Sequence, residues 1–364
     1  MVATRTSKPA LKPEAWCYAS GFAAAQEGRL LTHRATLDLL SLGGLEELLG
    51  RVRQTFLFGD LAETLEPFEL AESMQACFAV AVRRTAQASP IPAVADVFLL
   101  PVEWQSFRGY LRQKALGLER APVPGAAIPD ATWDQCWSSA DQEPPLDGFA
   151  AAAVGVRASI SQTGSDLKIQ NSGLFGILRS DPHRLDAITS VHEAHDVLRA
   201  ARQTESPDIA SWVETWLRLR LALALLRCRL SHWDELPPRT IPADLGNVGA
   251  SGPLAPSVTG EPLVTTAGSE RRDWRPTFAG LGLASAPAVP EDDPLRATTI
   301  ERLIDDRLTE LTHAGRGVAF GPELVFAFLW GLRCEALNLR LIVTGVAARL
   351  PRESIAKDIR QTYV

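Results

Sequence analysis

The chain has 364 residues, of which 46% are hydrophobic and 22% charged, with a net charge of −6. This acidic balance argues against nucleic acid as the main partner, because phosphate binding requires a basic surface. No stretch reaches the ~18 to 20 apolar residues that cross a bilayer, and no apolar run near the N-terminus resembles a signal peptide. The five cysteines form no Cys-x-x-Cys pair, which favours reduced thiols over a disulfide framework.

Helical periodicity runs through most of the chain, and the period-two alternation of strands is rare. The sequence therefore predicts an all-α protein. In chain order the predicted helices are 14–31, 34–41, 44–54, 68–87, 93–117, 184–202, 208–232, 296–313, 322–349 and 351–361. Three stretches interrupt them: 119–148 is rich in proline, 154–173 favours a short extended hairpin, and 236–295 is a proline- and glycine-rich insertion or linker.

No motif in the chain predicts catalysis. The phosphate-binding pattern Gly-x-x-x-x-Gly-Lys-Ser/Thr and the nucleophile pattern Gly-x-Ser-x-Gly are both absent. The best metal-like cluster is His192-Glu193-Ala194-His195-Asp196, in which two histidines share a helix face. No further ligand pair accompanies it, so we interpret this segment as a solvated helix face, and likewise the run Asp305-Asp306-Arg307. The sequence thus predicts no catalytic residue, no metal site and no cofactor.

Two predicted helices share an acid-x-x-polar-x-Arg pattern. The copies are Glu103-x-x-Ser106-x-Arg108, with Arg112 beyond it, and Glu335-x-x-Asn338-x-Arg340. A degenerate middle copy ends at Arg227 and has Arg218 in the place of the acid. Near-equal spacing of three copies is typical of related helical units. A shared helix composition could also produce the pattern, and the sequence leaves both explanations open.

The C-terminal segment carries the most specific pattern. It opens with Gly321-Pro322-Glu323, where proline suits the first turn of a helix. Gly345 is expected to end or bend that helix. A second helix is then expected to start at Pro351 within Leu350-Pro351-Arg352-Glu353-Ser354-Ile355, and the chain finishes with Tyr363-Val364.

Three polar residues lie inside the apolar part of this segment, and polar groups require partners when they are buried. Glu335 and Asn338 lie on neighbouring rows of the helix, whereas Arg340 points about 140° away from Glu335. One interpretation, which we favour, is a polar network that pins the helix to its neighbours. The other is a docking surface for a second protein.

The C-terminal pattern resembles that of the C-subunit family of the prokaryotic A/V-type ATPases, whose counterpart in the eukaryotic vacuolar enzyme is the d-subunit. The family pattern is a Gly-Pro-Glu start, an acid-x-x-Asn-x-Arg core, a glycine, Leu-Pro-x-Glu-x-Ile and a terminal Tyr-Val, and all occur here in order. The resemblance implies three related helical lobes arranged as a funnel. On that basis 1–118 is lobe 1, 119–235 a linker plus lobe 2, 236–295 the insertion, and 296–364 a third lobe that pairs with the N-terminal helices.

The N-terminal region resembles the opening helices of the same family. The matching elements are Tyr18-Ala19-Ser20, Arg29-Leu30-Leu31-Thr32 and Leu45-Glu46-Glu47-Leu48-Leu49. Phe22 and Ala24 stand where the family usually has basic residues, so a contact made by those charges is altered or lost here. These matches and the repeated acid-x-x-polar-x-Arg pattern supply our structural or interface candidates: Tyr18, Arg29, Arg108, Arg112, Glu335, Asn338 and Arg340.

The resemblance implies a non-catalytic central-stalk subunit of a rotary ATPase, coupling the membrane proteolipid ring to the central axle during ion transport or ATP synthesis. The ring and the axle proteins would be its partners, and its place would be peripheral, on the cytoplasmic face of the membrane. A second hypothesis is an all-helical scaffold or regulatory protein that kept the fold but not the rotor role. A metal-dependent enzyme built on His192 and His195 is a third.

Overall fold

The computed structural model describes residues 11–59, 61, 67–116, 122–138, 148–150, 152–153, 182–230, 275–290 and 296–364. Within these residues the regular elements are α-helices and short 3-10 helices, with no β-strand. The predicted all-α fold class is therefore confirmed. The hairpin predicted at 154–173 lies outside the described residues, as does the 236–295 insertion apart from 275–290.

The helices lie close to their predicted places. Their bounds are α1 (Cys17–Glu27), α2 (His33–Asp38), α3 (Leu45–Val52), α4 (Pro67–Ala88), α5 (Ala93–Leu116), α6 (Asp130–Ser138), α7 (Pro182–Gln203), α8 (Pro207–Leu230), α9 (Arg275–Gly280), α10 (Arg296–Thr312), α11 (Pro322–Ala347) and α12 (Arg352–Lys357). Helices α6 and α9 are additions, since they fall in the stretches predicted to be proline-rich interruptions. In α6 the proline precedes the helix: Pro129 is followed by Asp130, whose carboxylate suits a first turn.

Helix α11 is the centre of the described core. Residues Leu324 to Leu332 are buried without interruption, so this part of the helix is covered on every side. It packs against α1, α3, α4, α5 and α10, which come from both ends and the middle of the chain. Inside this core the Nε1–H of Trp330 donates to Thr309 Oγ1 at 2.9 Å, so the polar end of the indole has its partner.

The end of α11 differs from the expectation based on Gly345. The helix continues past this glycine to Ala347, in keeping with the predicted range 322–349, so of the two expected effects of Gly345 the ending of the helix does not occur. The chain reverses instead at Arg349, whose φ is 55°, and the Leu350 N–H donates back to the Gly345 carbonyl at 2.9 Å. Gly345 provides space, because a Cβ there would lie 2.7 Å from the Ile355 side chain. Helix α12 therefore packs directly onto the backbone of α11.

The C-terminal tail closes over α11. The Asn338 amide bonds the backbone of Arg360 in both directions: its Nδ2 donates to the carbonyl oxygen at 3.0 Å, and its Oδ1 accepts from the N–H at 2.8 Å. Tyr363 is buried against Gly331, where a Cβ would lie 2.7 Å from the ring. Arg316 donates to the Tyr363 carbonyl oxygen at 3.1 Å and lies over its ring. The tail is therefore part of the core.

A second, smaller aromatic cluster joins α5 to α6. Trp104, Phe107 and Trp133 are fully buried in it, and Phe149 packs on the rings of all three. Helix α5 also packs along α7, which in turn packs on α8. Trp104 Nε1–H reaches across to α7 and donates to Asp196 Oδ2 at 3.2 Å. The α5–α7–α8 group thus has its own apolar and polar contacts.

Candidate functional site

Glu335 joins two distant ends of the sequence. It is 5% exposed on α11, and its Oε2 accepts the Leu31 N–H, in the loop between α1 and α2, at 2.7 Å. The other carboxyl oxygen, Oε1, is buried and has no hydrogen-bond partner among the described residues. Burial raises the pKa of Glu335 from 4.5 to about 7, against the smaller lowering effect of the Leu31 N–H. This carboxyl therefore exchanges its proton near neutral pH.

The three polar residues of the C-terminal motif have different surroundings. Glu335 holds the N-terminal loop and Asn338 holds the tail, so both pin α11 to neighbouring segments, as the network interpretation requires. Arg340 is exposed, in keeping with its separation from Glu335 around the helix. It has no part in that network and stays a candidate for contact with a partner.

Glu103, the counterpart of Glu335 in the repeat, makes a similar contact from α5. Its Oε1 accepts the Ala127 N–H at 2.7 Å and its Oε2 accepts the Ile128 N–H at 3.1 Å. Leu31 and Ile128 each lie two residues before a short helix, α2 and α6 respectively. In both copies, then, the acid holds the loop that enters a short helix. This shared contact favours a true repeat over shared composition for these two copies.

The middle copy of the repeat has a different contact. Arg218 stands where the acid should be, and it pairs with Glu214 at 2.8 Å along α8. The side chain of Arg227 lies outside the described residues. At this position, therefore, the middle copy lacks the acid that accepts backbone N–H groups of a loop in the other two copies.

The segment from His192 to Asp196 is not a solvated helix face, so that interpretation was wrong. Glu193 and Asp196 are 8% and 3% exposed. Arg108 of α5 donates to the Glu193 carboxylate, and Trp104 donates to Asp196. His192 is stacked beside the Trp104 ring, and burial lowers its pKa. Helix α5 covers this face of α7, so the charges of the segment form contacts between helices.

Asp305 is a second acid that the sequence placed at the surface and the fold buries. It is 3% exposed, accepts the Arg360 Nε–H at 2.7 Å, and lies 3.8 Å from an Arg333 nitrogen. The Arg333 guanidinium lies over the rings of Trp216 and Trp330, and burial lowers its pKa. The tail is therefore fixed by an ion pair as well as by the Asn338 amide.

A signal for this buried acid was present in the apolar spacing of α10. Asp305 directly follows the buried Ile304 and lies one turn before the buried Thr309. Thr309 accepts a hydrogen bond from Trp330 of α11, so Asp305, one turn earlier, lies at the edge of the face that packs on α11. The interpretation of Asp305-Asp306-Arg307 as a solvated face rested on composition, which hides the helical position of its first member.

The remaining candidate residues lie at the surface and do not meet in one place. Tyr18 is 73% exposed on α1. Arg29 is exposed, donates to Gln26 at 3.0 Å, and lies over the Phe56 ring. Arg112 is exposed on α5 and lines a cleft shared with α8. The interface roles assigned to these side chains stay predictions.

Within the described part of the chain, no group of three or more His, Cys, Asp and Glu residues could hold a metal ion. No helix among those described is long and apolar enough to span a membrane. No protein-family model matches the chain, and no curated protein matches it. The function is therefore inferred from the C-terminal pattern and from the contacts that its residues make.

Proposed function

We propose that this chain is a non-catalytic central-stalk subunit of a rotary A/V-type ATPase. It would lie on the cytoplasmic face of the membrane, between the proteolipid ring and the central axle, with its helices in three related lobes arranged as a funnel. The observation that carries the proposal is the ordered C-terminal pattern from Gly321-Pro322-Glu323 to Tyr363-Val364, which resembles that of the C-subunit family.

The Gly-Pro-Glu start supports the proposal through its contacts. The Gly321 N–H donates to Ser20 Oγ of α1 at 3.2 Å, and the Ser206 hydroxyl, beside the start of α8, donates to the Glu323 carboxylate. Pro322 begins α11 without leaving an N–H unpaired. Gly321 and Glu323 thus connect the start of α11 to α1 and to the residue that precedes α8.

Stiffness is the second supporting feature. A part that transmits torque between two partners must not yield internally, so its chain ends have to be fixed to its core. Glu335 fixes the N-terminal loop, and Asn338 with Asp305 fixes the tail at Arg360. Residues of the family pattern therefore fix the ends of the chain to its core, as the transmission of torque requires.

Co-purification from membranes tests the proposal. An affinity tag belongs at the N-terminus, because Tyr363 is buried near the other end of the chain. We expect the proteolipid and the axle proteins to be recovered with the tagged chain and identified by mass spectrometry. Recovery of neither, from membranes in which the ATPase itself is intact, would contradict the proposal.

Depletion and re-addition of the whole chain test coupling itself. Removal of 322–364 would also remove the central core helix, so a truncated chain would report on folding. We expect membranes without the chain to retain ATP hydrolysis by the head and to lose ion pumping, with pumping restored by purified wild-type chain. Pumping at the full rate in the depleted membranes would show that the chain has no coupling role.

The alternative, a scaffold or regulatory protein with the same fold, is favoured by one local observation. Phe22 packs against the core and Ala24 is exposed, so no charge stands at either position where the family usually has basic residues. A contact that used those charges would be missing. Recovery of soluble partners without the proteolipid would favour this alternative.

A further inference from the structure

A cleft of about 340 Å³ lies between α5, α7, α8 and α10. Volumes of roughly 300 to 1,000 Å³ are typical of small-molecule sites in proteins. Five charged side chains line it: Arg108, Arg112, Glu193, Arg220 and Glu301. The cleft is therefore large enough for a small ligand, and its charges decide which kind.

The charges of the cleft leave one cation in excess. Arg108 and Glu193 form an ion pair across α5 and α7, so they neutralise each other. Of the two further arginines, Arg220 has no ion pair among the described residues, and its guanidinium lies 4.9 Å from the centre of the Trp216 ring. A cation–π contact of this kind holds the guanidinium in place without using its N–H groups as donors to an acceptor oxygen. Arg220 is thus oriented and available to an anion.

An apolar row surrounds this cation on the same helix. Leu217, Leu221 and Ala224 line the cleft together with Arg220. Their spacing of three and four residues places all of them on one face of α8. An anion at Arg220 would therefore have hydrocarbon surface on both sides of it along the helix.

We propose that this cleft binds a small amphipathic carboxylate. The Arg220 guanidinium would pair with the carboxylate through two parallel N–H···O bonds, and the row of Leu217, Leu221 and Ala224 would cover the hydrocarbon part. A compact anion such as phosphate would use the charge and leave the half-buried Leu221 and Ala224 facing water, whereas Leu217 is already buried. This binding is separate from the stalk function and does not depend on it.

Titration calorimetry of the full-length chain with octanoate tests the site. We expect saturable binding, weakened about tenfold or more by Arg220→Gln, since a charged hydrogen-bonded pair is lost. Arg218→Gln is the matched control: Arg218 lies on the same helix, is paired with Glu214, and does not line the cleft. It should change the affinity by less than about twofold.

A second variant tests the apolar row without changing the charges. Ala224→Phe would fill the cleft and is expected to abolish octanoate binding, with thermal unfolding used to verify that the variant is folded. Octanol keeps the hydrocarbon chain of octanoate without its charge, and inorganic phosphate keeps a negative charge without the chain. Both should bind more weakly than octanoate. The proposal is overturned if the wild-type chain does not bind octanoate, if Arg220→Gln and Arg218→Gln behave alike, if folded Ala224→Phe binds normally, or if phosphate binds as tightly as octanoate.

Discussion

Glu335 and Glu103 hold equivalent loops in two parts of the fold, but their surroundings differ. Glu103 accepts two backbone N–H groups and lies 3.6 Å from an Arg83 nitrogen. Glu335 accepts one N–H, from Leu31, and keeps one buried oxygen without a partner in the described structure. The same position in the repeat thus carries a well-satisfied carboxylate in one copy and a destabilised one in the other.

This difference makes the stability of the chain depend on pH through Glu335. Below pH 4.5 the carboxyl is protonated in both the folded and the unfolded chain, and between pH 4.5 and about 7 only the folded chain keeps the proton. The free energy of unfolding therefore falls by on the order of 3 kcal/mol as the pH rises through this window. We expect Glu335→Gln to remove this loss. Measured by urea unfolding, the free energy of unfolding of the variant relative to that of the wild type should rise from pH 5 to pH 8.

Glu103→Gln is the control for this pH effect. A glutamine has one acceptor oxygen for the two N–H groups of Ala127 and Ile128, so the variant should be less stable by roughly 1 to 3 kcal/mol. Urea unfolding at pH 8 measures this loss. If Glu335→Gln showed the same loss at pH 8, the buried oxygen of Glu335 would have a partner and our account of it would be wrong.

Substitutions of Asn338 and of Arg340 should have clearly different effects on the free energy of unfolding. Asn338→Ala removes two hydrogen bonds to the Arg360 backbone and is expected to lower the free energy of unfolding by roughly 2 to 3 kcal/mol. Arg340→Ala changes an exposed side chain, so its effect should stay within about 0.5 kcal/mol. Hydrogen exchange at the Arg360 amide should accelerate in the first variant alone. Equal destabilisation by the two would contradict the division of roles.

Gly345 and Ile355 should be coupled energetically. Gly345→Ala places a methyl group 2.7 Å from Ile355 and is expected to cost about 1 to 3 kcal/mol. In an Ile355→Ala background the space is open, and the substitution should become neutral or stabilising, because alanine is favoured over glycine in a helix by about 1 kcal/mol. A double-mutant cycle by chemical denaturation measures the change of sign. An unchanged cost in both backgrounds would mean that Ile355 is not the obstacle.

Arg349 should tolerate glycine better than alanine. Its φ of 55° is a conformation that side chains disfavour, and helices reversing in this way commonly carry glycine at that position. We expect Arg349→Gly to raise the free energy of unfolding by about 0.5 to 1 kcal/mol. Arg349→Ala keeps the backbone strain and should bring no gain. An equal gain from Arg349→Ala would show that the effect comes from removal of the Arg349 charge and not from relief of backbone strain.

The helices show how far local pattern carries and where it stops. Apolar periodicity identified the long helices, because their buried faces repeat along the sequence. Helix α6 was missed because Pro129 was interpreted as an interruption, although a proline immediately before a helix is compatible with its start. Gly345 was expected to end or bend α11, whereas it provides space for Ile355, which comes from the next helix.

The acids show a different limit. Glu193 and Asp305 lie in charged stretches of the sequence, whose composition predicts a solvated surface. Both side chains are nevertheless buried. Their burial depends on Arg108 and Arg360, which lie far away in the sequence and are brought to them by packing. Composition cannot supply such partners.

Sequence alone was sufficient for the helical class and for the C-terminal pattern, because helix formation depends on residues within a few turns of one another. The folded chain was needed to show that Glu335 meets Leu31, that Asn338 meets Arg360, and that Arg340 stays at the surface. Those contacts depend on how separate helices pack, and burial then sets the pKa of Glu335 and the need of each polar group for a partner.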